Sequence, residues 1–343
     1  MSEKREITIY DIARELNLSA STVSRGLRDH PAIKLATVKR IKDMAASMGY
    51  QQNPFASNLR MNRSNTIGVI LPRFESTFMA AVVSGIEQVV RNKGYNLVVS
   101  QSTDSVKIEE ANLNALFNSR VEGLLISFTP ETHTMDHLDV FIRKNIPVVL
   151  FDRVGDVPQC SCTRVEINNR QAGFDATRHL LEQGCRRILY LAENQNCSVF
   201  GERAKGYRDA LNKYGVVPDP ELMIFDHLNE GSGSRTMKKI REMGIKPDGI
   251  FAANDVSAVS IMTELKAHGY RIPEDIAIVG FNNGHMSRIV EPALSTINYP
   301  AVDMGRIAAS SLMSMLDHSN QVATQSVVLK HRLIIRDSSR RKK

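Results

Sequence analysis

Several features typical of other protein classes are absent from this 343-residue chain. It contains no run of 18 apolar residues, so we predict no membrane-spanning helix. The N-terminal stretch MSEKREITIYD has no apolar segment of the kind found in secretory signal peptides. Together these absences predict a cytoplasmic protein that makes no membrane contact.

Cysteine is scarce, with four residues in the whole chain. The only close pair, Cys160-x-Cys162, has no second cluster at the spacing of zinc ligands. We therefore expect the four thiols to be reduced and mostly to fill space in the core. No metal and no cofactor are predicted.

Motifs that carry enzyme chemistry are also missing. The first apolar strand of the main body ends in Leu71-Pro72-Arg73-Phe74, without the glycines that a dinucleotide-binding turn needs. Neither a Walker A sequence nor a G-x-S-x-G elbow occurs. An enzyme acting on sugar phosphates or nucleotides is therefore disfavoured, whereas a binding module for small solutes stays open as an alternative.

Positive charge is concentrated at the two ends of the chain. The net charge is +7; residues 1–63 carry 11 Lys/Arg against 6 Asp/Glu, a net of +5, and the last four residues add +4. The remainder is therefore close to neutral, at 7 − 5 − 4 = −2. A basic head is what attraction to a phosphate backbone requires. We expect the basic tail, residues 340–343, to be a disordered, solvated end.

Three helices are predicted in the head. Thr8 and Asp11 form a capping arrangement for the first helix, Ser19 caps a second helix over about 20–27, and a third runs over about 35–48 before Gly49. A short break separates the first two helices, as in a helix-turn-helix motif, which places the start of its second helix in the DNA major groove. Arg25 is then suited to contact a guanine or a phosphate.

A fourth, short helix is predicted after the head. Asn53 and Pro54 are suitable first residues, but a helix of about seven residues is marginal in isolation. We expect it to form only against a partner, followed by a polar linker over 61–65.

Apolar strands alternate with amphipathic helices from Thr66 onward, which is typical of parallel α/β sheets. We predict helices over 77–93, 170–183 and 256–268. The nine predicted strands are 66–72, 96–102, 123–127, 147–152, 187–193, 222–226, 249–255, 276–282 and 295–300. So many strands suggest two sheets, with a ligand in the cleft at the carboxyl ends of their strands.

Polar residues end several of these strands. The pairs are Asp152-Arg153, Asn254-Asp255 and Asn282-Asn283, while Arg203 begins a helix and Phe78 could stack on a sugar face. Such side chains can bind hydroxyls or a carboxylate. The alternative is that each Asp or Asn is merely a turn or cap residue. We favour a binding site for the set as a whole.

The motifs together resemble the lactose/galactose repressor (LacI/GalR) family along nearly the whole chain. The head sequence ITIYDIARELNLSASTVSRGL, the Gly49-Tyr50 pair and the Asn53-Pro54 hinge all have family counterparts, as do the following segments of the body. These are PVVLFDR, FAANDVSA, IAIVGFNN, STINYP with the later Asp303-Met304-Gly305, and the ending Arg336-Asp337-Ser338.

The resemblance implies a homodimer that binds a pseudo-palindromic, double-stranded operator at the nucleoid, with paired hinge helices in the minor groove. It places Ala20, Ser21 and Arg25 at the main base-reading positions, and Leu59 as a wedge between base steps. The full set of predicted DNA-contacting residues is Thr8, Tyr10, Ser19, Ala20, Ser21, Thr22, Ser24, Arg25, Asn53, Ala56, Leu59 and Arg60.

A periplasmic-binding-protein-like body with a small-molecule effector, a sugar or a related metabolite, is also implied. The effector-contacting positions then correspond to Phe78, Ser127, Asp152, Arg203, Asp255 and Asn282.

The chain departs from the family pattern at two positions. Lys34 replaces the usual serine cap of the third helix, where its side chain cannot accept from the free amides and is unfavourable to the helix dipole. The alternative is that Lys34 serves a nearby DNA phosphate. Asn282 replaces the family's aspartate, which allows an effector of another class, including an anion.

The sequence thus predicts an allosteric transcriptional repressor of carbohydrate-related genes that is not an enzyme. The predicted domains are a helix-turn-helix head (1–52), a hinge helix with its linker (53–65), a body (66–339) and the basic tail. Within the body, one lobe is expected over about 66–165 and 296–325, and the other over about 166–295 and 326–339.

Overall fold

The structure is a computed structural model that describes residues 7–50, 64–155, 162–194, 197–244, 246–317 and 325–341. The chain divides into two compact units, Met1–Ser64 and Asn65–Lys343. The predicted hinge helix at 54–60 lies outside the described residues.

The first unit is a three-helix head whose helices are α1 (Ile9–Leu16), α2 (Ala20–Gly26) and α3 (Leu35–Ser47). Its small core is formed by apolar residues from all three helices: Ile12, Ala13, Val23, Ile41 and Ala45. Asn17, in the left-handed conformation (φ 53°), ends α1, and Gly49 (φ 69°) follows α3. Both residue types tolerate positive φ, which explains why the helices end there.

The second unit contains twelve strands and nine helices longer than a single 3₁₀ turn within its described residues. The elements are β1 (Thr66–Leu71), α4 (Thr77–Asn92), β2 (Asn96–Gln101), α5 (Val106–Asn118), β3 (Gly123–Ile126), α6 (Asp139–Arg143), β4 (Val148–Phe151), β5 (Thr163–Ile167), α7 (Asn169–Glu182), β6 (Ile188–Ala192), α8 (Ser198–Lys213), β7 (Met223–Phe225), α9 (Ser232–Met243), β8 (Gly249–Ala252), α10 (Asp255–Ala267), β9 (Ala277–Phe281), α11 (Met286–Ile289), β10 (Ser295–Asn298), α12 (Ala301–Asp317), β11 (Ser326–Leu329) and β12 (Arg332–Ile334).

The strands form two six-stranded sheets, one per lobe. The first has the order β11-β5-β4-β3-β1-β2 and is parallel throughout; the second has the order β12-β10-β9-β8-β6-β7, with only β12 antiparallel. The central strands are buried on both faces. This burial explains their uninterrupted apolar sequences and confirms the predicted pair of parallel α/β lobes.

Two predicted lobe boundaries differ from the observed pairing. Residues from 296 onward were expected in the first lobe, but β10 belongs to the second sheet. Residues from 326 onward were expected in the second lobe, but β11 pairs with β5 in the first sheet. The chain therefore crosses between lobes near 168, 299–300 and 330–331. A crossover depends on distant partner strands, so local sequence does not determine its position.

Two further expectations are corrected. Cys185 and Cys197 are free and buried, but Cys162 is disulfide-bonded, so not all four thiols are reduced. The tail is ordered at least as far as Arg341, whose guanidinium donates hydrogen bonds to the carbonyls of Pro273 and Asp248 at 2.9 and 2.7 Å. Three backbone acceptors within reach, including that of Asp275, hold this arginine in place.

Candidate functional site

The second helix of the head presents one face to solvent and the opposite face to the core. Val23 is fully buried, whereas Ser21 and Arg25 are exposed and Ala20, Thr22 and Ser24 are partly buried. Ser21 and Arg25 are four residues apart, so they lie on the same face of α2. Arg25 has no ion-pair partner among the described residues, which leaves its guanidinium available to an anion.

Local hydrogen bonds fix the starts of the first two helices. The amide and hydroxyl of Thr8 donate to the Asp11 carboxylate at 2.9 and 2.6 Å, and the Thr22 amide donates to the Ser19 hydroxyl at 3.2 Å. Tyr10, in the first turn of α1, is 62% exposed. The caps therefore keep the amino-terminal turn of each helix formed, with predicted contact residues on its surface. Asn53, Ala56, Leu59 and Arg60 lie outside the described residues.

The second unit contains a cavity of about 380 Å³ between its two lobes. Its walls come from residues that follow the carboxyl ends of β1 and β4 in the first sheet and of β6, β7, β8 and β9 in the second. Of the six predicted effector-contacting residues, four line this cavity: Phe78, Asp152, Arg203 and Asn282.

Asp152 and two aromatic rings form one side of the cavity. The Tyr299 hydroxyl donates to Asp152 Oδ1 at 2.8 Å, and the ring of Tyr299 lies 4.4 Å from that of Phe78, centroid to centroid. Burial raises the pKa of Asp152, although Arg153, the Tyr299 hydrogen bond and Arg203 oppose that rise. This side thus combines an apolar surface with a hydrogen-bonding carboxyl, a combination suited to a hydroxylated ring.

Arg203 is held on α8 by close packing against α7. A Cβ on Gly173 would collide with the backbone of Arg203, so only glycine lets the two helices approach at this point. The Arg203 guanidinium lies 3.5 Å from the centroid of the Phe281 ring. Its Nε and Nη1 donate to Asn169 Oδ1 and to the Ala253 carbonyl at 2.9 and 3.0 Å. Its position is therefore fixed without any ion pair among the described residues.

A carboxylate behind the cavity connects two more arginines. Asp104 accepts a hydrogen bond from Arg73 Nε and another from Arg153 Nη1, each at 2.6 Å. Burial raises the pKa of Asp104, but the two arginines outweigh it and lower that pKa overall. Asp104 is therefore ionised at neutral pH and orients both arginines, which line the cavity.

Two predicted effector-contacting residues do not line this cavity. Ser127 is fully buried, with its Oγ 3.4 Å from the Arg153 amide nitrogen. Asp255 is also buried, and its two oxygens accept from the Thr296 hydroxyl at 2.6 Å and the Gly284 amide at 2.7 Å. In this structure Asp255 anchors the loop that follows β9.

Of the other residues at strand ends, some line the cavity, as a binding site requires, and others serve as turn or cap residues. Asn254 lines the cavity but also caps α10, accepting from the Ser257 amide at 2.8 Å. Asn283 holds Asn298 and Arg336 through its side chain, at 2.8 and 2.7 Å, which is a structural role. Asn282 (φ 105°) lines the cavity, and its side-chain amide has no hydrogen-bond partner among the described residues.

Sequence reasoning did not find several lining residues: Arg73, Glu193, His227, Asn229 and Tyr299. Glu193 comes directly after β6, so the strand-end rule that found Asp152 would also have found it, whereas His227 and Asn229 lie in the loop that follows β7. Tyr299 lies at a lobe crossover, where the sequence offers no comparable signal.

Within the described ranges, no helix is both long and apolar enough to cross a membrane. In the same ranges, no group of three or more His, Cys, Asp or Glu side chains is arranged to hold a metal ion.

Comparison with known proteins finds a matching family model for each of the two units. The model for bacterial regulatory proteins of the lacI family matches residues 8–53, and that for a periplasmic binding protein-like domain matches residues 177–339. The chain is 29% identical over 334 residues to the HTH-type transcriptional regulator RegA of Clostridium saccharobutylicum, covering 97% of this chain and 99% of RegA. It is 28% identical over 335 residues to the HTH-type transcriptional repressor CytR of Escherichia coli K12, covering 97% of this chain and 96% of CytR.

A solved structure has the same architecture over nearly the whole chain. The transcriptional regulator CelR–cellobiose complex superposes with a TM-score of 0.73 at 27% identity, covering 97% of this chain and 100% of CelR.

The fold and the head therefore define a helix-turn-helix DNA-binding protein with a periplasmic-binding-protein-like body. The chain belongs to the lacI family of bacterial regulatory proteins. The relatives that match it from end to end are transcriptional regulators. This chain is likewise a sequence-specific transcriptional regulator and not an enzyme.

Proposed function

We propose that this regulator is a cytoplasmic homodimeric repressor of carbohydrate-related genes. It binds a pseudo-palindromic operator through α2 of each head, and a small molecule in the interlobe cavity controls its DNA affinity. The observation that carries the proposal is the cavity itself, which both lobes line, in a chain that also has an exposed recognition helix. The repressor name of CytR and the cellobiose complex of CelR support it.

Allosteric control follows from how the cavity is built. Because both lobes contribute to its walls, a ligand that contacts both favours one arrangement of the lobes over another. The three interlobe crossovers are short, which suits movement of one lobe relative to the other. We expect the favoured arrangement to determine whether two hinge segments can form helices on DNA. Those segments include Leu59 and lie outside the described residues.

The base-reading role is tested with DNA chosen by the protein. The full chain is used to select duplexes from a randomised pool, and a palindromic consensus is expected because a two-fold dimer reads two equal half-sites. Deletion of residues 1–63 should abolish binding to the selected duplex. Retained specific binding would contradict the proposal.

A matched pair of variants locates the reading surface. Arg25→Ala should weaken binding to the selected duplex by about 10-fold or more, because a good arginine–base contact is worth about 1–3 kcal/mol. Arg14→Ala removes the same charge from an exposed position on α1 and should weaken selected and random duplexes equally. Equal effects of the two changes on both DNAs would rule out α2 as the reader.

A further inference from the structure

The body of the protein begins at Asn65, the residue at which the chain from the head enters the second unit. Asn65 has a left-handed backbone (φ 46°), a conformation that asparagine tolerates better than most residues. β1 starts at the next residue, Thr66, so the chain turns immediately before it enters the first sheet. The placement of Asn65 therefore decides where the linker leaves the body.

Glu122, the residue directly before β3, holds this exit point. Its carboxylate accepts a hydrogen bond from the Asn65 amide at 2.7 Å, and its own amide donates to the Thr66 carbonyl at 2.8 Å. On the other side, the Asn96 amide donates to the Asn65 carbonyl at 2.7 Å. The Tyr95 hydroxyl reaches the second carboxylate oxygen of Glu122 at 3.4 Å. The first residues of the body are thus held from both strands that pair with β1.

The bond between the Glu122 carboxylate and the Asn65 amide can be removed without breaking the sheet. The bonds to the Asn65 and Thr66 carbonyls join main-chain groups, so they survive a change of side chain at position 122. Asn65 and Glu122 are both partly exposed, so water can replace the lost acceptor. Loss of the carboxylate therefore releases the first amide of the body and leaves β1 paired with β2 and β3.

A carboxylate in the same relation to a strand occurs in the second lobe, where no linker enters. Asp248 directly precedes β8. Its two oxygens accept from the Arg186 amide at 2.9 and 3.0 Å and from the Arg187 amide at 2.8 Å, just before β6. The chain reaches this point from α7, within the same lobe. Asp248 therefore has only the structural part of the role and serves as an internal comparison for Glu122.

We propose that Glu122 is a positioning residue that sets the separation of the two DNA-binding heads and thereby the half-site spacing of the operator. This inference rests on the proposed homodimer. In a two-fold dimer, two fixed exit points limit how far apart the heads can bind, and half-site spacing reflects that distance. Each released residue adds up to about 3.3–3.6 Å of chain. The rise of DNA is about 3.4 Å per base pair, so release of Asn65 in both protomers adds up to about two base pairs of reach.

A pair of duplexes tests the proposal on the full chain. The selected duplex is compared, by fluorescence anisotropy at one ionic strength, with a duplex that has two base pairs inserted between its half-sites. Wild type should bind the selected duplex at least 10-fold more tightly. Glu122→Ala should lower this spacing ratio to 3-fold or less, because the released residue lets each head reach the displaced half-site. Glu122→Gln keeps an oxygen that can accept from the Asn65 amide and should keep the ratio within 2-fold of wild type.

Asp248→Ala is the matched control, because it removes the same kind of bond from the second lobe. It should lower the melting temperature but keep the spacing ratio within 2-fold of wild type. In Glu122→Ala, amide hydrogen exchange should be faster at Asn65 and unchanged at Val69, in the buried part of β1. If Glu122→Ala does not fold, Glu122→Asp takes its place. It withdraws the carboxylate by one methylene group and should lower the ratio in the same direction.

Four results would overturn the inference: a wild type that binds both duplexes equally, a ratio that Glu122→Ala leaves unchanged, an equal fall of the ratio in Asp248→Ala, or a Glu122→Gln variant that behaves like Glu122→Ala. The proposed function fails in another way. If no palindromic consensus were selected, the dimeric reader itself would be refuted. A strict spacing preference that did not depend on Glu122 would leave that function intact and remove only the role assigned to this residue.

Discussion

Asp255 should make the folded state more stable at mildly acidic pH. Its carboxyl is 4% exposed, and burial raises its pKa to about 7, against the opposing effects of the Thr296 hydroxyl, the Gly284 amide and Arg336. The ordinary value is 3.8, so between pH 3.8 and 7 the folded protein binds a proton that the unfolded chain does not. Stability from this group is fully present below pH 3.8 and is lost as the pH rises through 7.

The size of the effect follows from the distance in pH. Each full pH unit below the folded-state pKa is worth about 1.4 kcal/mol, but the carboxyl is half ionised at pH 7, so the contribution gained from pH 7 down to pH 5 is about 2 kcal/mol. The carboxyl is mostly ionised only near pH 8, and between pH 8 and pH 5 the contribution is about 3 kcal/mol.

The assay compares wild type with Asp255→Asn, because every other ionisable side chain is present in both proteins and its contribution cancels in the difference. Urea unfolding is followed by circular dichroism at pH 5 and pH 8. Asparagine keeps an acceptor for Thr296 but turns a donor toward the Gly284 amide, a cost that does not depend on pH. The advantage of wild type should therefore grow by about 3 kcal/mol at pH 5. A difference that stays within 1 kcal/mol between the two pH values would refute the reasoning.

Three further outcomes are expected. Arg341→Ala should destabilise the second lobe by about 2 kcal/mol, because it leaves backbone acceptors without their charged donor. The control Arg340→Ala, at an exposed position, should change the free energy of unfolding by less than about 0.5 kcal/mol. Equal effects of the two changes in urea unfolding would contradict the anchoring role. Gly173→Ala should lower the free energy of unfolding by about 1–3 kcal/mol, because the added methyl group overlaps the backbone of Arg203, and it should weaken binding of the effector. A variant with native melting temperature and native effector affinity would show that the two helices can separate freely. Ser19→Ala should remove about 1 kcal/mol from the start of α2, visible as faster amide hydrogen exchange there in the full chain; unchanged exchange would mean that the cap is redundant.

The elements that sequence predicted well are those whose stability is local or whose burial is complete. The third head helix was expected over 35–48 and is observed at Leu35–Ser47, since Gly49 marks its end within a few residues. All nine predicted strands exist because most are buried on both faces and therefore form continuous apolar runs.

The missed strands have weaker patterns for a physical reason. β5 alternates buried and partly exposed residues, and β11 and β12 lie at sheet edges where half or more of their residues stay in contact with solvent. An edge strand needs fewer apolar residues, so its sequence differs little from that of a loop.

The candidate site shows the same contrast between residues that local sequence predicts and contacts that depend on the fold. Asp152 and Asn282 were predicted because each follows a strand. Arg203 was expected at the start of a helix, but it is the sixth residue of α8, which begins earlier, at Ser198. The network behind them was not predicted: Asp104 and Arg153 are 49 residues apart, and Tyr299 and Asp152 are 147 residues apart. Such pairs form only once the fold brings them together, so no local pattern encodes them.

The late position of β11 has a consequence for how the protein is made. The first sheet is interrupted after Ile167 and is completed only by Leu329, after the whole second lobe up to β10 has been translated. At about 5–20 residues per second, roughly 10–30 s of synthesis separate the two. A nascent chain thus exposes its recognition helix long before the cavity has both walls. Any product released before Tyr299 is added would carry the DNA-reading surface without the complete lining of the cavity.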